Sequence, residues 1–243
     1  LKKNYTHDNT IITTTGIINK TLNLIRPSIE KLMTKKNTSG LYFSSSYFSN
    51  NSLVKKVIKD NPDIIHLHWI NNGTLSIADF KKFKKPIVWS MHDNWPFTGG
   101  CHIKLKCTKY ESMCTSCPLL HENLLSNLSK KIFIRKKKVY KKCDIYPVAL
   151  SSWLEEETKK SSLMGKMMIS KIPNPINTNL YREIDSAAAK NFLNIKPDIK
   201  VLLFGAVNPL KDFNKGGDLL LQAFKYLTSK NIVLLIAGTT KPE

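Results

Sequence analysis

The chain has 243 residues, 42% hydrophobic and 23% charged, a balance that supports a folded core and excludes a disordered chain. Its 38 Lys and Arg against 18 Asp and Glu give a net charge of +20, yet only Arg26, Arg135 and Arg182 are arginines. No apolar stretch approaches the roughly 18 residues needed to span a bilayer, and five irregularly spaced cysteines argue against a secreted disulfide framework, so a cytoplasmic protein is expected.

In chain order, the start (Leu-Lys-Lys-Asn-Tyr) has neither Met nor an apolar signal region and reads as a cut end. Residues 18–33 carry a helical pattern that Pro27 interrupts. From residue 52 a unit repeats: a helix-like segment, then a short buried strand. The helices are expected over 52–59, 76–83, 124–142 and 152–161, with Ser76 and Ser151 or Ser152 as caps. The strands are expected over 64–69, 87–91, 145–150 and 167–172, the last ended by Pro173-Asn174-Pro175. Beyond that turn the pattern restarts, with helices over 187–193 and 218–227 and strands over 200–204 and 232–237. Alternating short apolar strands and helices predict an α/β fold with parallel sheets. A domain boundary is expected at about residue 176, giving domains over 1–176 and 177–243. The sequence stops just after a strand-like run, so both ends are read as truncated.

The motifs sit at the ends of these strands. Pro62 to Trp69 reads PDIIHLHW and Pro86 to Asp93 reads PIVWSMHD. Ile172 to Asn177 reads IPNPIN, followed by Phe204-Gly205-Ala206 and Asn214-Lys215-Gly216-Gly217. In this order the set resembles the retaining GT-B glycosyltransferases of bacterial surface-polysaccharide synthesis, the group of colanic-acid, capsule and O-antigen enzymes. The resemblance runs from about residue 52 to the end. It implies two Rossmann-like domains: an acceptor-side one that here lacks its first strand and its Gly-rich loop, and a donor-binding one that here is incomplete. It also implies a nucleotide-sugar donor, a lipid-linked or saccharide acceptor, and no catalytic cofactor. The pair of acidic residues that the family places next lies beyond Glu243.

His92 follows the carboxyl end of a strand, where open α/β sheets bind ligands. An imidazole there can hydrogen-bond a hydroxyl or stabilise developing charge, and the resemblance implies contact with the donor sugar. Asp93 either orients that ring or caps the loop. His66 and His68 alternate onto one strand face and read as packed structural histidines, His68 being nearer the strand end. On the donor side, the resemblance places Lys215 beside the donor diphosphate. A helix start adds free N–H groups and partial positive charge, Gly216 admits close backbone approach, and Gly205 opens the turn after its strand. Lys211 stands in for an Arg that the family often carries in that loop.

The loop 99–118 holds Cys101, Cys107, Cys114 and Cys117 at the spacing C-x5-C-x6-C-x2-C. A structural zinc bound by all four is the leading expectation. Two disulfides, free thiols or an iron–sulfur cluster are the alternatives, with His102 able to replace one cysteine. Cys143 reads as a buried thiol. Lys130 to Lys142 resembles a basic amphipathic helix that lies on an anionic membrane surface, though a solvated face has the same pattern. The charge and cysteines also suggest a basic zinc-knuckle nucleic-acid-binding protein. Scarce arginine and the lack of interleaved aromatics argue for no nucleic-acid partner. An inactive sugar-binding fragment is the third reading.

Overall fold

Parallel strands need a crossover between them, and both sheets among the described residues are parallel. The computed structural model describes residues 42–48, 51–121, 127–210, 212–228 and 231–238. The expected helix over 18–33, the start of the helix over 124–142 and residue Lys211 fall outside these. The chain divides into two compact units, one ending at Asn174 and the other beginning at Pro175.

The first unit begins with α1 (Asn51–Asp60), which ends where Asn61 turns to a positive φ of 45° and Pro62 follows. Then come β1 (Ile65–Leu67), β2 (Ile87–Met91), α2 (Leu128–Tyr140), β3 (Ile145–Ala149), α3 (Ser152–Lys160) and β4 (Ser170–Lys171). The sheet order is β1-β2-β3-β4, with Leu67 opposite Trp89 and Trp89 opposite Pro147. β4 is shorter than the expected strand because only Val148 and Ala149 of β3 pair with it.

The core sits on β2, whose Ile87, Trp89, Ser90 and Met91 are buried. Phe80 meets the Trp89 ring edge-on at 5.1 Å, and Tyr140 of α2 and Trp95 stand 6.0 Å from it. Phe80 comes from residues 77–82, which form a 3-10 helix rather than the expected α-helix. Six residues are too few for a stable α-helical ladder, and Asp79 closes the segment by accepting from the N–H and hydroxyl of Ser76.

In α2 the buried residues are Ser129, Ile132, Phe133, Lys136, Val139 and Tyr140, a single stripe at helical spacing. The apolar face that a membrane-lying helix would present is thus packed into the core. Exposed Lys130, Lys131, Lys137, Lys138, Lys141 and Lys142 remain outside.

The second unit has α4 (Ser186–Phe192), β5 (Lys200–Gly205), α5 (Gly217–Lys225) and β6 (Ile232–Ala237). β5 and β6 pair in parallel from Lys200↔Ile232 to Gly205↔Ala237. Large apolar side chains stay exposed on it, among them Leu203 and Tyr226. Among the described residues no helix is long and apolar enough to cross a membrane.

Candidate functional site

β1 and β2 end side by side, and the residue after each strand is a histidine. His68 Nδ1 and His92 Nε2 are 2.9 Å apart, so one ring donates its N–H to the other. The same offset of 24 residues brings His66 Nε2 to within 2.9 Å of Ser90 Oγ. Parallel register carries both contacts. The His66 and His68 rings lie 4.4 Å apart on the open face of β1, whereas Ile65 and Leu67 enter the core. The expectation of packed structural histidines is therefore corrected: strand alternation puts both imidazoles outside. Desolvation, then the neighbouring charges of His66 and His92, hold His68 below the usual histidine value, which favours its neutral ring. A small recess adjoins His92, lined also by Trp69, Asn71, Trp89, Asp93 and Trp95. Trp69 is half exposed there, an apolar wall beside a hydrogen-bonding pair.

The carboxylate of Asp93 is bound by groups other than His92. Its Oδ1 accepts from the Trp95 N–H at 2.8 Å, and its Oδ2 accepts from His102 Nδ1 at 2.6 Å. Nε2 of His102 in turn lies 2.9 Å from the Ser44 hydroxyl. This Ser44–His102–Asp93 chain has the connectivity of a nucleophilic triad, but Ser44 and His102 are each only 4% exposed. No substrate reaches a hydroxyl so enclosed, so the chain works as a strut beneath the His92 loop. Both ring nitrogens of His102 are engaged, and it does not line the recess that the four loop cysteines share.

The four loop cysteines line one shallow recess with Gly99, Lys109 and Ser129, and all are free thiols. Gly99 donates its N–H to Cys114 Sγ at 3.2 Å. A Cβ on Gly99 would stand 2.5 Å from Cys114 Cβ, so glycine is what lets these two strands of loop approach. Burial pushes the Cys101 thiol up to about 12 and the Cys114 thiol up to about 11, and raises Cys117. Among the described residues no three His, Cys, Asp or Glu groups already stand in ligating positions.

Lys136 was not singled out by its sequence context, since it lies in a run of lysines. Its position on the apolar stripe of α2 was the available signal. The side chain is fully buried, bonds the carbonyls of Trp95 and Thr98 (3.1 Å to the latter), and sits 3.3 Å over the Trp95 ring. Burial lowers its ammonium to about 7 against the opposing pull of Cys101, Cys114 and Asp93.

In the second unit, Lys215 is exposed and ends the 3-10 turn Phe213–Lys215 directly before α5. Gly216 caps α5 with a φ of 71°, a conformation that disfavours side chains. Gly205 ends β5, and an added Cβ there would meet only Ala237 O at 3.9 Å.

Parallel sheets alternating with helices, with a polar pair at neighbouring strand ends, define an α/β fold. The match to known proteins narrows this. The chain belongs to Glycosyltransferase Family 4, whose model it matches over residues 24–180. It is 28% identical over 90 residues to the putative colanic acid biosynthesis glycosyl transferase WcaC of Escherichia coli (strain K12), covering 32% of this chain and 22% of that protein. In structure it is similar to the sucrose-phosphate synthase of Thermosynechococcus elongatus, with a TM-score of 0.50 and 14% identity, over 93% of this chain and 58% of that one. The structural likeness bears out the α/β, GT-B-type expectation at the level of the fold. The chain spans about a fifth of the curated relative and under two thirds of the solved one.

Proposed function

We propose that this chain is part of a glycosyltransferase that moves a sugar from a nucleotide-sugar donor to a lipid-linked or saccharide acceptor in surface-polysaccharide synthesis, with retention at the anomeric carbon. The observation that carries the reading is the His68–His92 pair at the carboxyl ends of β1 and β2, in a chain of this family. The name of the Escherichia coli relative supports the polysaccharide branch.

In this reading residues 1–176 form the acceptor-side Rossmann-like domain, and residues from 177 onward begin the donor-binding one. His92, oriented by His68, hydrogen-bonds a sugar hydroxyl and stabilises charge as the bond to the diphosphate breaks. Lys215, Gly216 and the start of α5 neutralise the departing diphosphate, with Gly205 and Lys211 beside it. The engagement of Asp93 with Trp95 and His102 supports a route without a protein nucleophile. Positioning and electrostatics then supply the rate. The exposed lysines of α2 give a cytoplasmic protein a face for an anionic membrane surface, by charge alone.

The test uses the complete protein that carries this chain. His92→Ala is expected to lower turnover about 100-fold with little change in donor affinity. Lys215→Ala is expected to weaken donor binding about tenfold by calorimetry, the effect of losing one phosphate-facing charge. Wild-type turnover in the first variant would remove His92 from the reaction. Unchanged donor affinity in the second would remove Lys215 from the site.

A further inference from the structure

We propose that Cys101, Cys107, Cys114 and Cys117 bind one zinc ion as a closed tetrathiolate, and that Lys136 is the buried countercharge of that centre. Three features of the first unit support this, and none depends on the sugar-transfer reading.

The first is convergence. Cysteines spread over the loop 99–118 face a single recess, although the loop contains only the 3-10 turn Lys109–Glu111 as regular structure. Cys101 is anchored by its bridge to Phe43, and Cys114 by the close approach of Gly99. Binding requires the side chains to rotate into the recess, since no three of them stand in ligating positions as they are. Zinc is the ion that four thiolates and no open position suit best.

The second is a backbone donor aimed at sulfur. Gly99 donates its N–H to Cys114 Sγ at 3.2 Å. Cys114 of the terminal C-x2-C pair is thus already served by an N–H group of the kind that orients metal-bound thiolates and spreads their charge.

The third is Lys136. Among the described residues no carboxylate lies within ion-pair distance of its ammonium. A fully buried cation whose partners are two carbonyls and one aromatic face, with no anion, is costly. The Thr98–Gly99 peptide unit links it to the cysteines: its carbonyl accepts from Lys136 at 3.1 Å, and its N–H donates to Cys114 Sγ. Four thiolates around a divalent ion leave a net negative centre, which is the partner this lysine lacks.

The test begins with the unmodified chain, purified under reducing conditions without chelator. About one zinc per chain is expected by elemental mass spectrometry, the stoichiometry of one closed site. Cobalt(II) added to the zinc-stripped chain should give sulfur-to-metal charge-transfer bands and the visible spectrum of a tetrahedral tetrathiolate. Cys114→Ser and Cys117→Ser should lose zinc, while Cys143→Ser, whose thiol is outside the recess, should keep it. Lys136→Met should weaken zinc binding about tenfold in chelator competition, as outer-shell changes do.

Absence of zinc and of the cobalt spectrum in the unmodified chain would overturn the site, whether or not the serine variants fold. Disulfides among the four cysteines, or iron with labile sulfide, would overturn it equally. Zinc loss in Cys143→Ser would do the same. Unchanged zinc affinity in Lys136→Met would remove the countercharge role.

Discussion

Lys136 is fully buried, and its ammonium reaches only the carbonyls of Trp95 and Thr98 and the face of the Trp95 ring. Those carbonyls belong to the turn that carries the loop from His92 toward the cysteines. Replacing the lysine with Met keeps the stem but leaves both oxygens without this donor. Unfolding in urea should show a loss of about 2 kcal/mol, the cost of orphaned buried acceptors less the gain of an apolar tip. A Met variant as stable as the parent would mean that the ammonium does not hold the turn. At the same scale, Asp93 shows why adjacency in sequence misleads. It follows His92 directly, yet its carboxylate serves Trp95 and His102.

α3 begins where Ser151 accepts a hydrogen bond from the Leu154 N–H at 3.1 Å, one of the two capping serines the sequence offered. One turn further on, Glu157 ties this helix to the cysteine loop. Its oxygens accept from Lys104 and Lys160, each at 2.7 Å, and from the Tyr110 hydroxyl at 2.5 Å. Burial by itself would raise the carboxyl, but these three hydrogen bonds outweigh it and hold Glu157 at about 2. Burial, then the bond to Glu157, raises the Tyr110 hydroxyl, which stays protonated and donating. Because the folded value is depressed below 4.5, the contribution to stability is complete above 4.5 and is lost as pH falls towards about 2. Glu157→Gln should cost about 2 kcal/mol near neutrality, since a buried pair loses one partner. The gap to the parent should close between those pH values. Parallel pH curves for the two proteins would show that Glu157 does not couple α3 to the loop.

At the scale of the whole molecule, the two units are joined by a segment with no buried residue from Lys171 to Ala188. Exposed backbone with few tertiary contacts is where proteases cut first. Among the described residues, brief trypsin treatment should therefore cut first after Arg182, as read by intact-mass spectrometry. Lys171 is also exposed but is held in β4 by pairing with Ala149. A first cut inside α2, despite its many lysines, would mean that the core face of that helix is not packed as described.

Much of this molecule was legible in one dimension. Strand positions followed from apolar runs such as IVWSM and KVLLF, and IVWSM is apolar nearly throughout because β2 is buried along almost its whole length. The α/β class followed from their alternation with helices, and the position of His92 followed from the end of such a run. The order of the motifs pointed to the family. The structure alone decided which side chains meet. His68 meets His92 because β1 and β2 pair in one register, and a shift of that pairing would separate them. His66 and His68 face outward because Ile65 and Leu67 take the core side. Lys136 reaches the carbonyls of Trp95 and Thr98 because it falls on the buried stripe of α2. Local sequence sets backbone preference and burial pattern, but contacts across 24 or 41 residues depend on how the elements dock. The sequence thus determined the strands, the helices and the candidate residues, while docking decided that one histidine pair lies at the sheet edge, that four thiols share a recess and that Lys136 is buried.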